Sequence, residues 1–188
     1  MTQEIEIEFK NLLTSDEYHT LLDELPFPKK AVTQTNFYFE TKDHTLQGLG
    51  SALRIRQKDN QYQLTLKQPH PNGLLETHDK LTKKEAEACM QGKMVVKEAT
   101  AKQLNELGVD IGSLMCLGSL TTERRELQWQ NVLLVLDFST YNGMSDYELE
   151  LEATSYESGH IFFNHVLNKF SIPRRHTPNK IERFFKSN

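Results

Sequence analysis

The chain has 188 residues, of which 26% are charged and 37% hydrophobic, and its formal net charge is −4. This length fits one domain with a sizeable core, and the negative net charge argues against a general nucleic-acid binder. The first residues carry alternating charges and no apolar run, so we expect neither a signal peptide nor a membrane span.

The first predicted element is a β-strand in which apolar and charged residues alternate without a break. One face carries Ile5, Ile7 and Phe9, and the other face carries Glu4, Glu6, Glu8 and Lys10. Like charges in a row on one strand repel each other unless water, cations or basic neighbours offset them. Two interpretations stay open for this stretch: a solvated outer face of a sheet, or an inward face that holds cations.

Periodicity and turn residues predict the elements that follow in the chain. They are a helix from Thr14 that ends at Pro26, a strand at 32–40, a turn or short helix at 43–49, strands at 51–58, 61–68 and 73–79, helices at 82–91 and 100–107, strands at 119–129, 131–139 and 145–154, and a helix at 157–170. Pro69 and Pro71 are expected to end the pairing of the central hairpin. A short last helix is predicted with Pro178 at its first position.

These elements amount to about eight strands without regular strand–helix–strand alternation. Hairpins such as the one through Asp59-Asn60 indicate a mostly antiparallel sheet. The prediction is one α+β domain that spans residues 1–188. Cys89 and Cys116 fit no CxxC pattern, which favours reduced thiols and a cytoplasmic location.

Charged residues recur on one face of the predicted strands, while the opposite faces stay apolar. Beyond the first strand they are Arg54, Arg56, Lys67, Glu76, Arg124, Asp137, Glu148, Glu150 and Glu152. An open sheet would expose this face, whereas a closed sheet would enclose a lumen lined by acids and bases. Arginine and lysine suit phosphate oxygens, and alternate carboxylates suit Mg²⁺ or Mn²⁺. The pattern alone leaves an exposed charged face equally open.

The order of these motifs resembles one known family. Glu6-x-Glu8-x-Lys10 is similar to the ExExK signature of the CYTH superfamily, the triphosphate tunnel metalloenzymes named for class IV adenylate cyclase and thiamine triphosphatase. The segments that follow in family order are Ala52-Leu53-Arg54-Ile55-Arg56, Leu64-Thr65-Leu66-Lys67, Thr122-Glu123-Arg124, Leu136-Asp137 and Tyr147-Glu148-Leu149-Glu150. The resemblance covers almost the whole chain and is nearest to bacterial stand-alone members regarded as triphosphatases.

The resemblance implies an eight-stranded antiparallel β-barrel, the triphosphate tunnel, with helices packed outside. The metal ligands it implies are Glu6, Glu8, Asp137, Glu148 and Glu150. The substrate-binding bases it implies are Lys10, Arg54, Arg56, Lys67, Arg124 and Lys180. Glu6, Glu8 and Lys10 are also the implied catalytic residues. Glu4, Glu76 and Glu152 are further acidic candidates, because they extend or match the charged rows.

The implied activity is Mg²⁺- or Mn²⁺-dependent hydrolysis of inorganic tripolyphosphate, thiamine triphosphate or a nucleoside triphosphate. Two alternatives remain: a class IV-type adenylate cyclase, and a non-catalytic protein that binds polyphosphate or nucleotide. No sequence element is recognisable as an adenine-binding motif, which ranks the cyclase lower. The complete acidic rows favour catalysis over binding alone. The expected partner is a small-molecule triphosphate, with no nucleic acid or membrane, and a homodimer stays open.

Two other groups of residues have ordinary explanations. His160 and His165 lie five residues apart on the predicted helix and do not share a face, so a metal-binding pair is not expected. The basic run Arg174-Arg175-His176 is expected to be a solvated surface, with a role at the substrate entrance as the lesser alternative.

Overall fold

Eight strands and six helices are found in residues 3–187, the part of the chain that the computed structural model describes. The strands are β1 (Gln3–Leu13), β2 (Val32–Glu40), β3 (Ala52–Lys58), β4 (Gln61–His70), β5 (Gly73–Leu81), β6 (Met115–Trp129), β7 (Val132–Tyr141) and β8 (Met144–Ala153). The helices are α1 (Ser15–Glu24), α2 (Thr45–Gly48), α3 (Lys83–Met90), α4 (Glu98–Glu106), α5 (Tyr156–Lys169) and α6 (Lys180–Lys186), with a 3-10 turn at Ile111–Ser113. Within residues 3–187, no helix combines the length and the apolar character that crossing a bilayer requires.

The strands close into an antiparallel barrel in the order β1-β5-β4-β3-β2-β6-β7-β8. This confirms the predicted fold class, an α+β protein with an eight-stranded antiparallel barrel. The chain also divides into two compact units. The first unit comprises residues 3–5 and 34–120, and the second comprises residues 6–33 and 121–187.

The first unit has its own hydrophobic core on one face of β2 to β5. Strand residues such as Leu53, Ile55 and Leu64 are fully buried there. Helices α2, α3 and α4 cover this face with Leu46, Ala86, Cys89 and Leu104, among others. Because side chains alternate across a strand, the opposite face of the same strands is left to the polar and basic residues.

The second unit has a separate core on one face of β1, β7 and β8. Leu134, Leu136 and Leu149 belong to it and are essentially inaccessible to solvent. Helices α1 and α5 pack against these strands, with Leu21 and Phe163 fully buried. As in the first unit, alternation directs the charged residues of β7 and β8 to the other face.

Two helix starts that the sequence signals are confirmed by capping boxes. The Thr14 hydroxyl accepts from the Glu17 backbone N–H at 3.2 Å, and the Glu17 carboxylate accepts from the Thr14 N–H at 2.8 Å. Thr82 and Glu85 make the same reciprocal pair at the start of α3. Each box satisfies two of the backbone donors that a helix start would otherwise leave unpaired.

The prolines predicted two element ends, with different results. The pairing of the central hairpin does end before Pro69, because β3 pairs with β4 only as far as Lys67. Strand β4 itself continues to His70 and pairs there with β5, so Pro69 needs a hydrogen-bonded partner on one side only. The prediction for Pro178 is wrong, because Asn179 is the N-cap of α6 and Lys180 is its first residue.

The basic run before α6 is not simply a solvated surface, and that prediction is wrong for Arg175. Its guanidinium forms a two-pronged ion pair with Glu17, at 2.7 and 2.8 Å. The Arg175 backbone N–H donates to the buried Asn11 side chain at 2.7 Å. These contacts attach the segment between α5 and α6 to β1 and α1.

Candidate functional site

The charged face of the second unit is assembled by strand register. In the β1–β8 pairing Lys10 lies opposite Glu150, and in the β7–β8 pairing Asp137 lies opposite Glu148. The β6–β7 pairing places Arg124 opposite Asp137. Residues directly opposite in an antiparallel pair share a face, so three pairings bring these five side chains to one side of the sheet.

An acidic cluster of Glu8, Glu148 and Glu150 lies on this face. Each of the three residues offers an oxygen atom, and the three atoms lie within 4.8 Å of one another. Glu148 is 1% exposed and Glu150 is 7% exposed. The Oε1 atom of Glu148 is buried and has no hydrogen-bond partner among the described residues. A buried carboxylate oxygen without a partner, in an all-oxygen set, fits a hard divalent cation such as Mg²⁺ or Mn²⁺.

Two basic side chains neutralise part of this charge. Arg124 donates from Nε to Asp137 Oδ1 at 2.9 Å, and from Nη2 to Asp137 Oδ2 and Glu150 Oε2 at 2.6 Å each. Lys180 Nζ lies 2.9 Å from Asp137 Oδ2 and 3.3 Å from Glu148 Oε2, and it also contacts Glu150 Oε1. The ammonium of Lys180 therefore sits against three carboxylates at once and acts as an internal counter-ion.

The cluster separates the pKa values of two glutamates that are two residues apart. Burial raises the pKa of Glu148 above its ordinary value, although Lys180 opposes that shift. Burial also disfavours ionisation of Glu150, but Lys180 and Arg124 outweigh it and hold the pKa of Glu150 well below its ordinary value. The pKa of Lys180 is raised well above its ordinary value, because the three carboxylates outweigh the effect of burial.

Lys10 lies at the edge of the acidic cluster. Its Nζ atom is 3.3 Å from Glu8 Oε1, and it donates to Asn179 Oδ1 at the start of α6. Glu6 is half-buried on the same strand, and Glu152 lies opposite Glu8 in the β1–β8 register. The structure thus gathers Glu8, Glu148 and Glu150 as possible ligands, with Asp137 held by Arg124 and Lys180; their roles stay predictions.

The first unit carries a second charged face, on β3 to β5. Arg54 and Arg56 lie on the same side of β3, and Arg56 Nε donates to Asn36 Oδ1 at 3.3 Å. Lys67 forms an ion pair with Glu76, directly opposite in the β4–β5 register. The Nε atom of Arg54 is buried without a hydrogen-bond partner among the described residues. A buried guanidinium donor in that state suits an anionic oxygen from a ligand.

A histidine to which the sequence interpretation gave no role joins the acids of this face. His78 Nε2 lies 3.0 Å from Glu4 Oε1 and 3.2 Å from Glu76 Oε2. The other ring nitrogen of His78 is hydrogen-bonded to the Thr65 hydroxyl at 3.0 Å. Alternation along β5 puts Glu76 and His78 on one face, whereas the contact with Glu4 of β1 was not predicted.

Sequence reasoning also missed Arg183 of α6 and Asp146 of β8. Arg183 is 8% exposed, and its Nη2 atom donates to Glu148 Oε2. Its Nε atom donates to Asp146 Oδ2 at 2.9 Å. Asp146 could have been found, because it continues the alternate-residue row of Glu148 and Glu150. Nothing in the local pattern of the last helix distinguishes Arg183 from a solvated base.

Comparison with known proteins gives consistent family matches. The CYTH domain family matches residues 4–185. A Bacillus subtilis (strain 168) relative named "Putative triphosphatase YjbK" is 43% identical over 186 residues, which cover 98% of this chain and 96% of the relative. A crystal structure of a "putative adenylate cyclase" from Bacillus halodurans is 41% identical with a TM-score of 0.95, and the match covers 98% of this chain and 100% of that one.

A third similar protein, from Hippeastrum, carries both activity names. It is described as a "putative adenylyl cyclase" with a dominant triphosphatase activity. It shares 26% identity and a TM-score of 0.77, over 99% of this chain and 96% of that one. The similar proteins therefore agree on the fold and differ in the reaction for which they are named.

Proposed function

The chain belongs to the CYTH domain family, and from this premise we propose that it is a metal-dependent triphosphatase. The observation that carries the proposal is the cluster of Glu8, Glu148 and Glu150, whose oxygen atoms lie within 4.8 Å of one another. One buried oxygen of Glu148 lacks a partner among the described residues, which supports a cation as its ligand.

The acidic cluster is the proposed metal site. Glu8, Glu148 and Glu150 would hold Mg²⁺ or Mn²⁺, with Glu6 and Asp137 as further ligand candidates. A bound divalent ion supplies charge neutralisation at phosphoryl oxygens and lowers the pKa of a coordinated water. Lys180 already contacts these carboxylates, so the site is one that attracts positive charge.

The basic residues are the proposed phosphate ligands. On the charged face of the second unit, Lys10, Arg124 and Lys180 would bind phosphate oxygens. On the charged face of the first unit, the candidates are Arg54, Arg56 and Lys67. Phosphoryl transfer depends mainly on positioning and on neutralising the charge of three phosphates, and guanidinium and ammonium groups do both. Their donors would stabilise the charge that develops on the leaving diphosphate group.

Water is the proposed nucleophile, and the carboxylates of Glu6 and Glu8 are the candidates that orient it. A carboxylate that accepts a hydrogen bond from the attacking water directs its lone pair at the terminal phosphorus. The anhydride bond then breaks, and the released phosphate takes up the oxygen of the water. Proposed substrates are inorganic tripolyphosphate, thiamine triphosphate and nucleoside triphosphates.

The experiment is a phosphate-release assay with tripolyphosphate, ATP and thiamine triphosphate, each with Mg²⁺, Mn²⁺ or EDTA. We expect turnover that requires metal, and a loss of at least about a hundredfold in the double variant Glu148→Gln/Glu150→Gln, since two ligands are removed. Glu106→Gln is a matched control, because Glu106 is exposed on α4, in the first unit, where it contacts Gln103 at 2.9 Å and Lys102 at 4.0 Å.

The alternatives give distinct results in the same assay. Pyrophosphate and cyclic AMP from ATP, without phosphate, would assign the chain as a cyclase. A rise in melting temperature with tripolyphosphate but no product would leave a binding protein and refute the catalytic proposal.

A further inference from the structure

We propose that Arg183 is a positioning residue that orients the Glu148 carboxylate for the divalent metal ion. The inference rests on the proposed function, because it concerns the same acidic cluster. It assigns a role to the last helix beyond the contact of Lys180 with the carboxylates.

The contacts of Arg183 use all three nitrogens of its guanidinium. Nε donates to Asp146 Oδ2 at 2.9 Å, Nη1 donates to the Pro178 carbonyl at 2.6 Å, and Nη2 donates to Glu148 Oε2. Asp146 is itself held by the Tyr141 hydroxyl, which donates to Oδ2 at 2.7 Å. A planar guanidinium fixed at three edges can hold a carboxylate in one orientation, which a flexible ammonium cannot do.

These contacts give the two carboxylate oxygens of Glu148 different surroundings. Arg183 donates to Oε2, and Lys180 Nζ lies 3.3 Å from the same atom. Oε1 is buried and has no hydrogen-bond partner in the described part of the chain. Fixing Oε2 therefore directs Oε1, the oxygen that is left over, to the ion.

Charge alone predicts the opposite effect of a mutation. Arg183 is a cation near the proposed metal site, so its loss would tighten cation binding if repulsion were its main contribution. Residues that hydrogen-bond to a metal ligand and orient it usually affect metal affinity more than such repulsion does. Their removal weakens metal binding by about 10- to 100-fold. The sign of the change in affinity therefore separates positioning from simple electrostatics.

The test measures Mn²⁺ affinity by the electron paramagnetic resonance signal of free Mn²⁺, for the wild type and Arg183→Gln. We expect the dissociation constant of Arg183→Gln to rise about tenfold. Arg183→Lys should recover only part of the loss, because it restores the charge without the fork. The KM for Mn²⁺ in turnover should rise more than kcat falls.

Asn142→Gly is the matched control for a looser helix. Asn142 Nδ2 donates to the Phe184 carbonyl at 3.3 Å and to the Ser187 hydroxyl at 3.0 Å, so the loss of these two bonds weakens the attachment of α6, and neither bond involves Glu148. Glycine also tolerates the φ of 46° at this position. We expect its Mn²⁺ affinity to stay within about twofold of the wild type.

Several results would overturn the inference. They are an unchanged or tighter Mn²⁺ affinity in Arg183→Gln, and an equal loss in Asn142→Gly. If Arg183→Gln does not fold, Asp146→Asn decides, because it removes the anchor of Arg183 and should weaken Mn²⁺ binding by at least about threefold. Unchanged affinity in Asp146→Asn would then refute positioning.

The outcomes also separate this inference from the proposed function. If the wild type binds Mn²⁺ and Arg183→Gln weakens the binding, but no triphosphate is hydrolysed, the positioning role stands and the triphosphatase proposal fails. If hydrolysis is metal-dependent and Arg183→Gln binds Mn²⁺ normally, the proposal stands and the positioning role fails. A wild type that binds no Mn²⁺ would refute both.

Discussion

At the scale of single residues, Glu148 and Glu150 show that identical side chains two positions apart can have pKa values shifted in opposite directions. Both are buried, and burial alone would raise both pKa values. Glu150 contacts both Lys180 and Arg124, whereas one oxygen of Glu148 has no partner among the described residues. At Glu148, burial and the neighbouring charge of Glu150 outweigh Lys180 and Arg183, whereas at Glu150 the cations Lys180 and Arg124 outweigh burial.

The pH dependence of Glu150 follows from these contacts. Its pKa is lowered in the folded state, so its stabilising contribution is complete above the unfolded-state pKa and is lost as the pH falls through the folded value. In Lys180→Gln we expect the pKa of Glu150 to rise, and the free energy of unfolding at pH 7 to fall by about 3 kcal/mol. Carbon-detected NMR titration of the carboxyl groups and urea unfolding measure the two changes.

Lys102→Gln is the control for this prediction, since Lys102 is exposed on α4 and its nearest carboxylate, Glu106, lies at 4.0 Å. It should leave the titration of Glu150 unchanged. A Glu150 titration that is the same in Lys180→Gln and in the wild type would contradict the assigned cause of the shift.

The residues of the candidate site could be predicted from the sequence to different degrees. Alternation identified the charged faces, because a strand of period two fixes which side chains share a side. Asp137, Glu148 and Glu150 were found this way and lie together in the structure. Arg183 could not be found, because its contacts depend on where a seven-residue helix lies against β8.

At the scale of elements, the packing of α5 depends on a glycine in its first turn. A Cβ atom at Gly159 would lie 2.5 Å from Phe9 Cε2 and 2.7 Å from Ala153 Cβ, which is closer than two non-bonded carbon atoms can approach. The helix therefore lies against β1 and β8 at a distance that only glycine permits. This packing covers the core on the far side of the strands from the acidic cluster.

Gly159→Ala should therefore destabilise the protein, although alanine favours helix formation. We expect the free energy of unfolding to fall by about 2 kcal/mol, since a forced methyl group displaces Phe9 or the helix. Gly48→Ala is the matched control, because Gly48 is also helical and has no atom within 4 Å of an added Cβ. It should be neutral or stabilising by up to about 1 kcal/mol. Equal effects of the two substitutions in urea unfolding would show that the close packing of α5 is unimportant.

Element boundaries were predictable where the signal was a hydrogen bond within a few residues. The capping residues Thr14 and Thr82 mark the starts of α1 and α3 because the hydroxyl and its partner N–H are three residues apart. Pro69 follows the end of the β3–β4 pairing but does not end β4, because a proline prevents only the pairing that needs its N–H. Arg175 misled because its partners, Glu17 and Asn11, are more than 150 residues away.

At the scale of the whole molecule, the barrel was predicted from strand count, hairpins and the family resemblance together. Alternation alone could not distinguish an open sheet from a closed one, because both have one apolar face and one polar face. The expectation of one domain stays a prediction beside the two compact units. The strand patterns anticipated an apolar side and a charged side of the strands, but not that the apolar residues form two separate cores.

The most direct test of the triphosphatase proposal is hydrolysis of tripolyphosphate in water enriched in oxygen-18, with Mn²⁺ or with EDTA. If water attacks the terminal phosphorus, mass spectrometry should find one oxygen-18 atom in the released phosphate and none in the pyrophosphate, and only when the metal is present. Label in the pyrophosphate, product formation that persists in EDTA, or no product with any metal would contradict it.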